Sequence, residues 1–389
     1  MKNLYHPGIP CNQKQIQEEL ETTICESSDD SLEIVECNKG FGVFGENWFW
    51  ATKEEIDLIK NSSKVQIQYF EENEKFSHDG WYFYNPIELG IELTRNCNQT
   101  CIHCWNESSL NNSQFSLKKA KEIVKEFRDY KGQKLKIMGG EPLVYPSLDE
   151  FLSFSKEQGI RKIELTTNGT LINKKKANTL AKYLTEIHVS IHGSTSNIHE
   201  DITKNYESFI GIINAINHLQ DSGLNPVINY TVMPQNKEDI IDIMKLSKKL
   251  NVKRLRINLL RNIGRAENLE TISREEIKIF RNLIYYKSKE LNVKMEKSEL
   301  YPSGYSKEIS QAEFYGCNGL RSLIYISSNG RVYPCSLINE SIGNIYQNSL
   351  DKLWKNKKAE DFRKWNKCIT KECDISKDCG GKCKANWDN

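Results

Sequence analysis

The chain has 389 residues, of which 27% are charged and 38% hydrophobic, with a formal net charge of +2. That length buries the core of two or three domains, or of one large barrel with additions, and the composition is ordinary for a globular protein. No run approaches the roughly 18 apolar residues of a membrane span. The start, MKNLYHPGIPCNQ, lacks the apolar stretch of a signal peptide. A cytoplasmic protein without membrane or nucleic-acid partners is expected.

Residues 1–85 carry 7 lysines, no arginine and 16 acidic residues, a charge of −9 that leaves about +11 for the remainder. Fields so different mark separate units. SLEIVEC, FGVFGE and NWFWA predict a small β meander. TKEEIDLIKN then predicts a helix with Thr52 as N-cap and Glu55 at the capping-box position. Trp48, Phe49 and Trp50 read as core before they read as binding surface.

From residue 86 strands and helices alternate. Strands are predicted at 90–96, 134–140, 162–169, 186–193, 227–233 and 254–260. Amphipathic helices are predicted between them, among them SLKKAKEIVKEF from Ser116 and SLDEFLSFSKEQG from Ser147, where Glu150 completes a capping box. KKANTLAKYL, SFIGIINAINHL and KEDIIDIMKLSKKL supply the others. Such βα units form a parallel sheet, and six of them suit a partial barrel or a doubly wound sheet. In a barrel the chemistry sits at the carboxyl ends of the strands. CNQTCIHCW (97–105) follows the first strand, GGEP (139–142) the second, TTNGT (166–170) the third and SIHG (190–193) the fourth. All these motifs fall on one rim.

The 12 cysteines point to metal or redox chemistry rather than a disulfide scaffold. Cys11, Cys25 and Cys37 are scattered. Cys97, Cys101 and Cys104 form a CxxxCxxC loop, and Cys317, Cys335, Cys368, Cys373, Cys379 and Cys383 crowd the end. Three thiolates are one too few for a closed zinc site unless His103 is the fourth ligand. They are one too many for a disulfide.

CxxxCxxC after the first strand followed by GGEP after the second resembles the radical S-adenosylmethionine (SAM) enzymes. The resemblance implies a partial (β/α)6 barrel in which Cys97, Cys101 and Cys104 hold a 4Fe-4S cluster whose fourth iron chelates SAM. It implies that Gly139, Gly140, Glu141 and Pro142 receive the methionine amino group and that His103 lies against adenine. Ser190 matches a family hydroxyl directed at SAM, though SIHG stands where SxDG is commoner, leaving His192 in the aspartate's place. Asn168 is a further rim contact, and Val232 and Met233 are candidates to pack on adenine. Arg265 in GRA (264–266) resembles a family motif or caps a turn. An external electron donor of the reductase or flavodoxin type is implied.

The tail reads Cx12Gx4C from Cys317 through Gly330 to Cys335, with SSNGRVYP as a hairpin turning at Asn329-Gly330. IGNI and a helix at SLDKLWKN come next. Cys368, Cys373, Cys379 and Cys383 follow as Cx4Cx5Cx3C. This resembles the SPASM extension, which implies one or two auxiliary 4Fe-4S clusters. The usual second block is Cx2Cx5Cx3C followed by a last cysteine, and here the first gap is four and no cysteine follows Cys383. By the family's interleaving, Cys317, Cys335 and Cys383 serve one cluster and Cys368, Cys373 and Cys379 the other. Asp388, an N-terminal cysteine or the substrate would supply what is missing, and a structural zinc is the competing reading.

The expected organisation is therefore a leader-recognition module of winged-helix type at 1–85, a barrel at 86–270, a helical linker at 271–310 and an auxiliary-cluster domain at 311–389. The resemblance implies a maturase that crosslinks a ribosomally made precursor peptide bearing a leader. Sulfatase-maturing relatives carry an aspartate where this chain has Ser336. A dehydrogenase or cofactor-biosynthesis enzyme acting on a small molecule or a protein side chain is the alternative, and a SAM-independent electron carrier is a more distant one.

Overall fold

The computed structural model describes residues 83–109, 112–296, 298, 300 and 317–364, together with strands at 31–37, 40–44, 48–51 and 66–68. Four of these strands, β1 (Ser31–Cys37), β2 (Gly40–Phe44), β3 (Trp48–Ala51) and β4 (Gln66–Gln68), form a sheet in the order β3-β2-β1-β4. The meander expected from SLEIVEC, FGVFGE and NWFWA is present, with β1–β2 and β2–β3 antiparallel and β4 parallel to β1. The helix expected at TKEEIDLIKN lies outside the described residues.

Six parallel strands make the main sheet: β5 (Glu88–Glu92), β6 (Lys134–Met138), β7 (Lys162–Thr167), β8 (Glu186–Ser190), β9 (Val227–Val232) and β10 (Arg254–Leu259). Each pairs with its neighbours in chain order, with Leu89 opposite Leu135 and Ile137 opposite Leu165. The alternation in KLKIM, KIELTT and RLRINL explains the layering. Leu135, Ile137, Ile163, Leu165, Leu255 and Ile257 are fully buried in the core, together with Val124, Phe127, Phe151 and Ile212 of the helices. That helical layer comprises α1 (Leu117–Asp129), α2 (Leu148–Glu157), α3 (Lys174–Tyr183), α4 (Ser196–Thr203), α5 (Ser208–Asp221), α6 (Ile240–Lys249) and α7 (Arg274–Glu290). Partial-barrel architecture is thus the observed fold.

The intervening positions are charged and pair across strands on the other face. Lys136 meets Glu88 at 2.5 Å and Arg254 meets Glu186 at 2.6 Å, while Lys134 pairs with Glu164. Burial works against the Glu88 carboxylate, yet Lys136 and Lys134 hold it down at about 2. Glu186, His188 and Glu296 bring three ligand atoms within 4.8 Å of one another. Lys253, Arg254 and Arg256 already occupy the two carboxylates, so this group is an ion-pair network at the amino ends of the strands.

Two helix starts show how local chemistry is decided. Ser116 caps α1 by accepting from the Lys119 amide, as its position suggests. Ser147 makes no side-chain cap bond to α2, so the capping box expected with Glu150 is not formed. Its backbone is at φ −102°, ψ 23° rather than extended, and Glu150 is drawn to Lys121 at 2.7 Å instead. A capping box does form where none was expected, between Ser273 and Glu276 at the start of α7.

After α7 the chain passes along the outer edge of β10, where the Leu255 amide donates to the Lys294 carbonyl and the Glu296 amide donates to the Leu255 carbonyl. The tail then extends the opposite edge. β11 (Leu323–Ile326) lies parallel to β5, with Ile324 opposite Leu89, and turns back through β12 (Arg331–Tyr333) to β13 (Gly343–Asn344). The expected hairpin at SSNGRVYP is thus welded to the barrel. Beyond it, α8 (Leu350–Lys355) and α9 (Lys357–Lys364) tie back. Trp354 Nε1 donates to the Phe83 carbonyl at 3.0 Å, and Arg363 Nε donates to the Leu320 carbonyl at 2.6 Å. Among the described residues no helix is long and apolar enough to cross a membrane.

Candidate active site at the carboxyl ends of the strands

The loop after β5 carries Cys97, Cys101 and Cys104, all half-buried and unbridged. It is pinned at several points. The Cys97 amide donates to the Ser109 carbonyl, the Ile102 amide to Ile202 at the end of α4, and the Cys104 amide to Cys101 in a tight turn. Arg265, beyond β10, reaches across: Nε donates to the Cys101 carbonyl and a terminal nitrogen to the Ser108 carbonyl, both at 2.8 Å. Its own amide donates to the Cys104 carbonyl at 3.0 Å. GRA therefore clamps the cysteine loop.

GGEP meets the same loop from the other side. A Cβ on Gly140 would stand 2.1 Å from the Asn96 carbonyl oxygen, and Gly139 has φ +135°. Only glycine permits this approach. It lets the Gly140 amide donate to Thr94 and the Glu141 amide to Asn96 at 2.7 Å. The buried Glu141 carboxylate accepts from the Thr167 hydroxyl at 2.7 Å, the Asn168 amide at 2.7 Å and the Leu143 amide at 2.9 Å. It thus ties the ends of β6 and β7 together, and Pro142 begins the short turn that follows. Burial pushes the carboxyl up to about 7, against the pull of the three donors. Asn168 also bridges to the cysteine loop, donating to Asn98 at 2.8 Å, while Asn98 donates to Thr170 at 2.9 Å.

Three histidines back the loop. The His103 and His192 rings meet edge to face at 4.2 Å, and His192 stacks against His199 at 6.2 Å. The His192 amide donates to His199 Nδ1 at 3.1 Å, and the Thr231 amide to His192 Nδ1 at 3.4 Å, so each ring is an acceptor there and neutral. Burial holds His103 and His199 down at about 4 and His192 well below the usual histidine range. His103 Nδ1 is buried without a hydrogen-bond partner among the described residues. Ser190 closes β8 on the same rim. Val232 and Met233 are wholly buried, Val232 in the main core and Met233 among Ile202, Leu260 and Ala266.

The donor set fits an iron–sulfur cluster. Burial pushes the Cys97 thiol up to about 11 and Cys101 up to about 12, with the neighbouring thiols adding to both. Thiols this reluctant to ionise become thiolates together only around positive charge. One zinc ion would gather three sulfurs to roughly 3.8 Å from one another, given Zn–S bonds of about 2.3 Å. His103, which would have to be the fourth ligand of a zinc site, is turned onto His192, so the three thiols stand without it. At the other end, Gly319 lies close to both the Cys317 sulfur and Pro334, the residue before Cys335: a Cβ there would stand 3.3 Å from the one and 3.1 Å from the other. Cys368, Cys373, Cys379, Cys383 and Asp388 lie outside the described residues.

A partial barrel with such a loop at its mouth defines an enzyme that holds an iron–sulfur cluster over the strand ends. Residues 91–247 match the model of the Radical SAM superfamily, and residues 317–383 match that of the SPASM iron-sulfur cluster-binding domain. The two matches cover more than half of the chain, which belongs to the radical SAM superfamily and carries a SPASM domain. It is 27% identical to an AdoMet-dependent heme synthase of Nitratidesulfovibrio vulgaris over 76% of this chain and 87% of that one. It is 26% identical to the antilisterial bacteriocin subtilosin biosynthesis protein AlbA of Bacillus subtilis, over 86% and 75%. Its fold is similar to that of Streptococcus suis SuiB bound to precursor peptide SuiA, with a TM-score of 0.72 at 19% identity, covering 92% and 95%. The chain is a SAM-dependent enzyme whose cofactors are SAM and iron–sulfur clusters.

The Arg265 clamp had only a partial signal in the sequence, and its effect is measurable. Arg265→Ala removes two charged hydrogen bonds, each worth about 1.5–3 kcal/mol. Iron retained by the reconstituted loop should fall, and SAM cleavage should drop at least tenfold. Arg265→Lys should restore little, because an ammonium cannot span both carbonyls. Wild-type cleavage by Arg265→Ala would reduce the clamp to a turn cap.

Proposed function

We propose that this enzyme is a peptide maturase that abstracts hydrogen from a ribosomally made precursor peptide to install a thioether or carbon–carbon crosslink. The observation that carries this reading is the separate sheet ahead of the barrel. Its β3 edge, Trp48–Ala51, has no further strand beside it among the described residues. An edge of that kind accepts an added strand, with main-chain hydrogen bonds for affinity and alternate side chains for selectivity. The charge of −9 on residues 1–85 favours a basic leader. Likeness to AlbA, and in fold to SuiB with its precursor peptide, supports the same reading.

When bound, the SAM-chelating cluster supplies the electron that releases a 5′-deoxyadenosyl radical. The chain's own residues would position and shield that chemistry. Cys97, Cys101 and Cys104 would hold the cluster, and Gly139 to Pro142, with Ser190 and Asn168, would line the SAM side. His103 and His192, both buried and neutral, would form an uncharged wall behind the cysteine loop. Cys317 and Cys335 would begin the auxiliary ligand sets, completed by Cys368, Cys373, Cys379 and Cys383. A reductase or flavodoxin-type protein would deliver the electron.

Similarity to the heme synthases favours a second reading, a small-molecule substrate. Removing the front module separates the two. Phe83 is buried, its carbonyl held by Trp354, so the variant to make lacks residues 1–80 and keeps Phe83. It should cleave SAM at close to the wild-type rate yet lose most modification of the peptide, read by mass spectrometry. Added salt should weaken leader binding to the full-length enzyme. Equal peptide processing with and without residues 1–80 would make the module a cap and favour the small molecule.

A further inference from the structure

One buried carboxylate has no role in the site as described. Glu92 ends β5, is wholly buried, and sits five positions before the first cluster cysteine. Five donors from four residues, on three stretches of chain, converge on it. Oε2 accepts from Asn106 Nδ2 at 2.6 Å and from the Tyr325 hydroxyl at 3.2 Å. Oε1 accepts from the Ser328 amide at 3.0 Å, the Ser328 hydroxyl at 2.5 Å and Arg95 Nε at 3.3 Å. Its stem is the floor under GGEP, since a Cβ on Gly139 would come within 2.6 Å of Glu92 Cγ.

These partners belong to different machinery. Asn106 lies two residues beyond Cys104, in the segment whose Ser108 carbonyl Arg265 holds. Tyr325 and Ser328 belong to the hairpin that runs through β12 to Cys335. Two contacts run alongside: Trp105, next to Cys104, meets Tyr325 edge-on at 6.0 Å, and the Ser113 and Ser328 hydroxyls are 2.7 Å apart. The Glu92 carboxylate is where the cysteine loop, GGEP and the tail meet.

We propose that Glu92 is a positioning residue that locks the SPASM hairpin to the cysteine loop, so that the geometry of the SAM-binding cluster depends on the hairpin's seating. This rests on membership of the radical SAM superfamily and is independent of whether the substrate is a peptide. A carboxyl group is suited to the task because all five groups donate and its two oxygens can accept from several donors at once. Seating on one shared acceptor is also cooperative: displacing the hairpin strips two of the donors that orient Oε1 and one that orients Oε2, which loosens Asn106 and the loop it belongs to.

The test perturbs the hairpin and reads the loop. In full-length protein, Tyr325→Phe combined with Ser328→Ala removes the two hairpin hydroxyls without touching any residue of the loop. Three measurements apply: hydrogen exchange at the amides of 104–109, the electron paramagnetic resonance signal of the reduced cluster that responds to added SAM, and SAM affinity by equilibrium dialysis. Exchange at 104–109 should speed up, the SAM-responsive signal should change shape, and affinity should fall about tenfold, as expected for one or two lost hydrogen bonds. If the double variant does not fold, Tyr325→Phe alone, which keeps the ring against Trp105, should move all three readouts the same way by less. Glu92→Gln should retain more affinity than Glu92→Leu, since an amide oxygen still serves one side. Faster exchange confined to 323–333, with the SAM-responsive signal and affinity unchanged, would overturn the proposal.

Discussion

Replacing Cys97, Cys101 and Cys104 together by alanine is expected to abolish reductive cleavage of SAM to 5′-deoxyadenosine, and each single replacement to abolish it nearly as completely. The loop places three half-buried thiols where GGEP, the Arg265 clamp and the His103–His192 pair converge. Removing a thiolate removes an iron ligand outright, an effect that no rearrangement of carbonyls or imidazoles nearby replaces. The fold should survive, because the loop is held by backbone bonds of Cys97, Ile102 and Cys104 that alanine keeps. Circular dichroism would confirm this, and anaerobic cleavage assays after reconstitution would give the result. Iron and sulfide should remain in the triple variant, held by the tail cysteines. Full cleavage by the triple variant would sink the assignment of this loop.

Glu141→Ala is expected to cost nearly as much, by a different route. It strands three buried donors, the Thr167 hydroxyl and the amides of Leu143 and Asn168, at about 1–3 kcal/mol each. A loss of roughly 3–9 kcal/mol at the junction of β6 and β7 should release GGEP from the cysteine loop and remove SAM binding. Acidity supplies a second readout on the apoprotein. Burial raises this carboxyl from 4.5 to about 7, so as pH climbs through that window the unfolded chain gives up its proton first. The contribution of Glu141 is thus fully present below about pH 4.5 and declines toward pH 7 by roughly 3 kcal/mol. The stability of the wild type relative to Glu141→Gln, from urea unfolding, should fall across that range. A flat difference would mean that the three donors, rather than burial, set its ionisation.

The strands were legible because alternation is a local signal: KLKIM and KIELTT announce a buried face and a charged face within five or six residues. The cysteine loop and GGEP were legible for the same reason, being short motifs on successive strand ends. What escaped reading depends on distant partners. Ser147 and Glu150 have capping-box spacing, but Lys121 on the neighbouring helix wins the glutamate. Arg265 gave half a signal, since nothing nearby in the sequence shows that its guanidinium lands on Cys101 and Ser108. Glu92 stood in plain view as an acid inside the apolar run GIELT. Its meaning lies in Tyr325 and Ser328, more than two hundred residues away. The two-turn helix α4 was too short to show an apolar period.

The pairing of β11 with β5 also sets a clock. Glu88 emerges early in synthesis, and Ser322, to which it is hydrogen-bonded, follows 234 positions later. At about 5–20 residues per second, a ribosome takes on the order of ten to fifty seconds to cover that distance. Throughout this interval the β5 edge displays unpaired amides and carbonyls, the template on which strangers add strands. The far edge at β10 is covered sooner, by residues 294–296. The nascent enzyme is therefore lopsided, sealed on one flank and adhesive on the other. That flank stays open until β11 is made and pairs with β5.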